Sequence, residues 1–164
     1  METNSKFKKE NLTAPMKLED EIVQKKFQND YHKATVNIIY TYSWLVNYQV
    51  GYLKPYDITL QQYNILRILR GQYPKPATIK LIKERMLDKM SDASRIVEKL
   101  RLKGLAERNI SASDRRNVDV LITEKGLELL TRLDPHVDEM NKRLSNLDGN
   151  EIKKLNDLLD KLRG

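Results

Sequence analysis

The sequence contains no cysteine, which removes disulfides, thiolate metal sites and thiol redox switches together. It has only two histidines, His32 and His136. They lie far apart and outside any HExxH spacing, so a metal-hydrolase centre has no ligand set to use. Gly-rich phosphate loops and nucleophile–base pairs are missing as well, and no enzyme is expected. Apolar runs are short, none near the roughly 20 residues that cross a bilayer. The opening Met1-Glu2-Thr3-Asn4-Ser5-Lys6 lacks the apolar core of a secretion signal, and the expected compartment is the cytoplasm. Glycine and proline are sparse, at 6 and 5, so the few that occur read as punctuation between elements.

What the chain does have is positive charge. Lysine and arginine number 30 against 23 acids, for a formal net charge of +7. An apolar fraction of 40% over 164 residues suffices for one ordinary domain with a hydrophobic core. An excess of cations favours polyanions, because each one placed on a phosphate releases condensed counterions. The excess is concentrated: from Lys80 to Arg116 there are eleven lysines and arginines against six acids.

Residues 1–18 are polar and aperiodic and are expected to form a mobile arm. A helical pattern follows, with Val23, Phe27, Tyr31, Ala34, Ile38, Tyr42 and Leu45 at spacings of three and four, ending near Gly51. Thr59-Leu60-Gln61-Gln62 is a capping box that starts the next helix. Its apolar residues cover more than one face, as suits a helix packed between others. Gly71 and Pro74-Lys75-Pro76 make a turn, after which Thr78 caps a short helix with Ile79, Ile82 and Met86 inward. Asp88 or Ser91 is expected to cap the helix after that. Its Ala93, Ile96, Val97 and Leu100 form one buried stripe, and its opposite face carries Ser91, Asp92, Ser94, Arg95 and Lys99. Gly104 sits where a helix ends in the left-handed region. Two short helices across a tight turn, the second with a polar and basic outer face, form a helix-turn-helix.

Leu105 to Ile110 reads as a strand, 111–117 as a polar turn, and Val118, Val120 and Ile122 as one face of a second strand. That hairpin, with Asp114, Arg115 and Arg116 near its tip, is a wing. Thr123 caps a further helix in which Leu130, Leu133, Val137, Met140, Leu144 and Leu147 repeat at three and four. Ile152, Leu155, Leu159 and Leu162 continue the pattern after Asp148-Gly149. Such alternation is a helix–helix seam. Pro135 is expected to kink or restart the helix, with Asp134 as its cap. These helices have no large partner left in the chain, and a second copy is the simplest one. The expected fold is mainly α with a small β-hairpin wing. A winged helix-turn-helix region, 56–123, is flanked by dimerisation helices, 19–55 with 124–164, in a single compact domain overall.

These stretches resemble the multiple-antibiotic-resistance regulator (MarR) family of winged-helix transcription factors. The resemblance rests on Thr59-x-x-Gln62-Tyr63, on Ser91-x-Ala93-Ser94-Arg95-Ile96-Val97-Glu98-Lys99-Leu100, and on Lys103-Gly104-Leu105-Ala106-Glu107-Arg108. Ser113-Asp114-Arg115-Arg116 and Leu121-Ile122-Thr123-Glu124-Lys125-Gly126 complete it. Between the two short helices the family often has Gly-Leu-Asp-Lys, where this chain has Leu87-Asp88-Lys89-Met90.

The resemblance implies a homodimeric, sequence-specific regulator of transcription, commonly a repressor. It would place two recognition helices in successive major grooves of double-stranded DNA, about 34 Å apart, over an inverted repeat. Ser91, Asp92, Ser94 and Arg95 would then meet base edges and phosphates, with Lys99 on a phosphate. Arg116 would read the minor groove, Arg115 would assist, and Asp114 would orient the arginine. A small aromatic or anionic effector is a further expectation from the family, with no pocket residue assigned. Tyr31, Tyr40, Tyr42, Trp44 and Tyr63 are first of all core or interface residues. The competing reading is a winged-helix protein-interaction module without DNA binding.

Overall fold

Side-chain caps decide where most of the helices begin. The computed structural model describes residues 17–110 and 118–164, and by backbone contacts the chain falls into two units, 1–48 and 49–164.

In the first unit a single helical turn, α1 (Leu18–Glu21), precedes the long α2 (Asp30–Leu53), which continues into the second unit. The Val23–Phe27 stretch, expected as the first turns of the long helix, is not helical. Val23 takes the left-handed region at φ 53°, and Asn29 accepts a hydrogen bond from the His32 amide at 2.9 Å. An Asx cap satisfies an amide with no helical partner, so the helix starts there and the apolar pattern upstream is left outside it. Lys33 bonds Glu19, holding the Glu19 carboxyl below its ordinary range, and Tyr40 donates to Glu21 at 2.7 Å.

In the second unit the Thr59–Gln62 capping box forms as expected. The Thr59 hydroxyl accepts from the Gln62 amide, and the Gln62 side chain accepts from the Thr59 amide at 3.0 Å. It launches α3 (Leu60–Arg70), which buries Tyr63, Ile65, Leu66 and Leu69. Thr78 caps α4 (Ile79–Arg85), and Asp92 caps α5 (Ala93–Leu102). Strands β2 (Ala106–Ile110) and β3 (Val118–Ile122) pair antiparallel, with Ala106 opposite Ile122 and Ile110 opposite Val118. A third strand, β1 (Ala77–Thr78), pairs with β3 on its other side, giving the order β1-β3-β2. The hairpin is thus one edge of a three-stranded sheet.

Ala77, Ile82, Met86, Ala93, Val97, Leu100, Leu105, Val120 and Ile122 join the buried face of α3 and Leu129, Leu130 and Leu133 in one core. Burial of that apolar area is the main favourable term holding α5 against its neighbours.

Thr123 caps α6 (Glu124–Leu144). The helix runs through Pro135 without restarting, and Asp134 is not a cap. Its carboxylate accepts two bonds from the Arg70 guanidinium, each 2.9 Å, a fork that ties α6 to α3. Asp148 then opens α7 (Gly149–Arg163) with a capping box to Glu151. No residue of α7 is buried. No helix among the described residues is long and apolar enough to cross a membrane.

Candidate nucleic-acid interface

The recognition helix α5 is fixed at both ends by hydrogen bonds that its sequence dictates. At the start, Asp92 Oδ1 accepts from the Arg95 amide at 3.1 Å. The cap is therefore neither Asp88 nor Ser91, as had been expected. Asp88 is already committed, with Oδ1 accepting from the Met90 amide at 3.0 Å and Oδ2 from the Ser91 hydroxyl at 2.6 Å. An Asx turn that closes on residue 90 delays the first helical turn, and the next aspartate takes the cap. At the far end, Gly104 adopts φ +69°. Its amide reaches Arg101 O at 2.9 Å while the Leu105 amide reaches Leu100 O at 3.0 Å, the paired bonds of a Schellman ending. A side chain at Gly104 would strain that left-handed turn.

Between these ends Ala93, Val97 and Leu100 are buried, with Ile96 half-buried, as the sequence stripe predicts. Asp92, Ser94, Arg95 and Lys99 are exposed, and Ser91 is half-buried. Ser91 and Asp92 both have local duties, to Asp88 and to the helix cap. Ser94, Arg95 and Lys99 make no such bond in the turn and project outward. Among the described residues neither Arg95 nor Lys99 has a carboxylate partner.

That freedom is selective. Glu98 accepts from Arg101 Nε at 3.0 Å and from its terminal nitrogen at 2.8 Å, and lies 3.8 Å from Arg108 on β2. Arg101's hydrogen bond, with the charges of Arg101 and Arg108, holds the Glu98 carboxyl below its ordinary range. Lys103 bonds the Asp57 carboxylate at 2.9 Å and also its backbone carbonyl. The charge excess read from the sequence therefore overstates the available field, since three of its cations are already neutralised within the fold. On α5 itself Arg95 and Lys99 remain, one turn apart on the same face.

A depression of about 330 Å³ brings Ser91, Asp92, Arg95 and Lys99 together with Thr59 and Gln61 at the start of α3. Thr59 and Gln61 were not singled out from the sequence as part of this surface. A signal existed: the capping box consumes Thr59 and Gln62, leaving the Gln61 amide free to reach across to the turn.

The wing root is equally constrained. Thr123 Oγ1 donates to Gly104 O at 2.8 Å and accepts from the Gly126 amide at 3.1 Å. A Cβ on Gly126 would lie 2.4 Å from Leu105 O and 2.7 Å from an Ile122 carbon. The Thr-Glu-Lys-Gly run therefore has a packing reason: only glycine lets α6 start this close to the sheet. Lys125 donates to Lys103 O at 2.9 Å. Asp114, Arg115 and Arg116 lie outside the described residues, between β2 and β3 in the sequence. No group of three or more His, Asp or Glu among the described residues could hold a metal ion.

A second cavity, of about 440 Å³, is lined by Leu60, Tyr63, Asn64, Arg67, Arg85 and Leu87 among others. Arg67 lies over the Tyr63 ring at 5.8 Å, and Asn64 Oδ1 accepts from the Leu87 amide at 3.1 Å. One wall of this cavity thus holds the start of the helix-turn-helix turn.

No family model matches the chain. The HTH-type transcriptional regulator Hpr of Bacillus thuringiensis (strain Al Hakam) is 33% identical over 95 residues, 58% of this chain and 50% of the relative. Hpr of Bacillus cereus (strain B4264) matches to the same extent. The chain therefore spans about half the length of these curated relatives. Among solved structures, a MarR transcription factor from Planctomyces limnophilus is 28% identical, covers 82% of this chain and 98% of its own, and has a TM-score of 0.63. S. aureus MepR in complex with DNA shares the fold at TM-score 0.71 and 23% identity, over 84% of this chain and 97% of its own. Bordetella bronchiseptica BpsR, whose DNA binding is regulated by 6-hydroxynicotinic acid, shares it at TM-score 0.67 and 19% identity, over 80% and 99%. This helix-turn-helix and this wing root, with likenesses along most of the chain, make it similar to MarR-family transcription factors.

Proposed function

We propose that the protein is a sequence-specific, double-stranded-DNA-binding regulator of transcription that acts as a homodimeric repressor on an inverted repeat. One observation carries the reading: on the outer face of α5, Arg95 and Lys99 stay unneutralised while Arg101, Lys103 and Arg108 are paired off. Arg95 suits the bidentate recognition of guanine, and Lys99 suits a phosphate. Ser94 lies beside them, and Ser91 and Asp92 set the pose of the helix end that enters the groove. Arg116, with Arg115 and Asp114, is assigned to the minor groove by resemblance to the family.

The second copy is proposed from exposed apolar faces. Tyr31, Ile39 and Tyr42 on α2 are 87%, 60% and 65% exposed, and Leu158 and Leu162 on α7 are 54% and 67% exposed. Apolar area of that kind on a charged chain marks an association surface. An isologous dimer would cover it and fix the spacing of two recognition helices. Release by a small aromatic anion fits the 440 Å³ cavity, where Arg67, Arg85 and the Tyr63 ring combine charge with an apolar wall.

The deciding experiment is selection of bound duplexes from a random DNA pool at fixed salt. An enriched inverted repeat is expected, with affinity falling on a log–log plot by about 0.9 per phosphate contact as salt rises. Recovery of no preferred sequence would overturn the reading.

A further inference from the structure

The turn between α4 and α5 is held by hydrogen bonds rather than by packing. Its two large apolar residues, Leu87 and Met90, are 85% and 95% exposed, so no buried side chain pins residues 87–90 in place. Four polar contacts converge there. Asp88 accepts from the Met90 amide at 3.0 Å and from the Ser91 hydroxyl at 2.6 Å. The Gln61 side chain also helps to lower the Asp88 carboxyl from its ordinary value, and Asn64 Oδ1 takes the Leu87 amide at 3.1 Å. Gln61 and Asn64 are three apart on α3 and so share one face. Two successive turn residues thereby face two positions one turn apart on α3.

We propose that Asp88 is a positioning residue of the DNA-reading surface, with its carboxylate holding the start of α5 in register with α3 through Ser91, the Met90 amide and Gln61. Because Asp88 is exposed, its bonds exchange readily with water and add little to global stability. What they fix is local: the residues just after them, Asp92 to Arg95, form the first turn of the recognition helix. An arginine reading a base edge depends on the pose of its backbone, whereas a lysine on a phosphate tolerates error. Loss of Asp88 therefore costs sequence discrimination more than general DNA affinity. Ser91's hydroxyl, first among several donors, holds the Asp88 carboxyl below its ordinary range, so the tether is intact at any neutral or mildly acidic pH.

This inference rests on the DNA-binding reading. The test uses the full chain, a duplex recovered from the random pool and a scrambled duplex of the same length. D88A should lower affinity for the selected duplex by about tenfold, the order of one charge-assisted hydrogen bond. Affinity for the scrambled duplex, its salt slope and the thermal midpoint should stay unchanged. Q61A should reproduce the effect, and the double variant should be no worse than either alone, the mark of a shared interaction. D88N keeps an acceptor for the Met90 amide and should recover part of the discrimination. Amide exchange over residues 87–95 should quicken in D88A with or without DNA.

If the parent binds selectively and D88A keeps the same ratio of selected to scrambled affinity, the inference fails alone. A fall in both affinities together with a lowered thermal midpoint would make Asp88 merely structural and overturn it too. Should the parent prefer no sequence, the functional reading fails and takes this one with it.

Discussion

Helices α5 and α7 both begin at an aspartate cap and both carry apolar residues at helical spacing. In α5 Ala93, Val97 and Leu100 are buried, while α7 buries nothing. The same local signals thus serve two ends. The inner face of α5 is satisfied by its own chain, which leaves the outer face to carry chemistry. The apolar face of α7 is only partly covered by the described residues, with Ile152 and Leu159 half-buried and Leu155, Leu158 and Leu162 exposed. A helix cap says where a helix starts; only burial says for whom its face was made.

The comparison can be broken most sharply by truncating one leucine in each helix. Leu100→Ala opens a cavity in a fully buried site and should cost about 2–5 kcal/mol by denaturant titration at any protein concentration. Leu158→Ala should instead lower the midpoint only at concentrations where the parent associates, and make it less dependent on protein concentration, since it weakens a mass-action term. If both variants behave alike, α7 is not an association surface. Next in size, Arg95→Ala should cost about 1–3 kcal/mol of discrimination at one base position, read by competition between duplexes, with the fold intact. Weaker uniformly across sequences, Lys99→Ala should reduce the salt slope by about one phosphate.

Smaller still are the caps. Asp92→Ala and Asp148→Ala should each cost about 1 kcal/mol. The first should also loosen DNA binding, and the second should not, as competition binding beside thermal melts would reveal. The smallest effect is the pH dependence of Glu98. Its carboxyl is held below the ordinary range in the fold, so its contribution is present above the unfolded value and disappears as pH falls through the lower folded value. Thermal midpoints between pH 5 and 3 should therefore fall slightly less in E98Q than in the parent, and equal slopes would show that the Arg101 pairing is unimportant.

Much of the helix-turn-helix was legible because its signals are local. Thr59, Thr78 and Thr123 each accept from an amide three residues on, a spacing visible in any sequence. The failures have the opposite character. Asp88, Ser91 and Asp92 are all capable caps within five positions, and only the backbone path of the turn decides among them. Asp134 looked like a cap before Pro135, but its partner is Arg70, on another helix. Strand β1 is two residues long and exists because β3 offers an edge. The pairing of Glu98 with Arg108 crosses from helix to strand, so the count of free cations could not be read from composition. For the wing arginines, the sequence and the family resemblance remain the whole basis of the assignment.

One feature of the wing root reaches further than its own stability. Ile122 ends β3 and Glu124 begins α6, so Thr123 is the entire connection, clamped by Gly104 on one side and Gly126 on the other. A joint of one residue has no slack. At 1.5 Å per residue, α6 is a rod of roughly 30 Å joined directly to β3, the central strand of the sheet. The direction of α6 is therefore set by the strand it leaves, so that helix and sheet turn together as one piece.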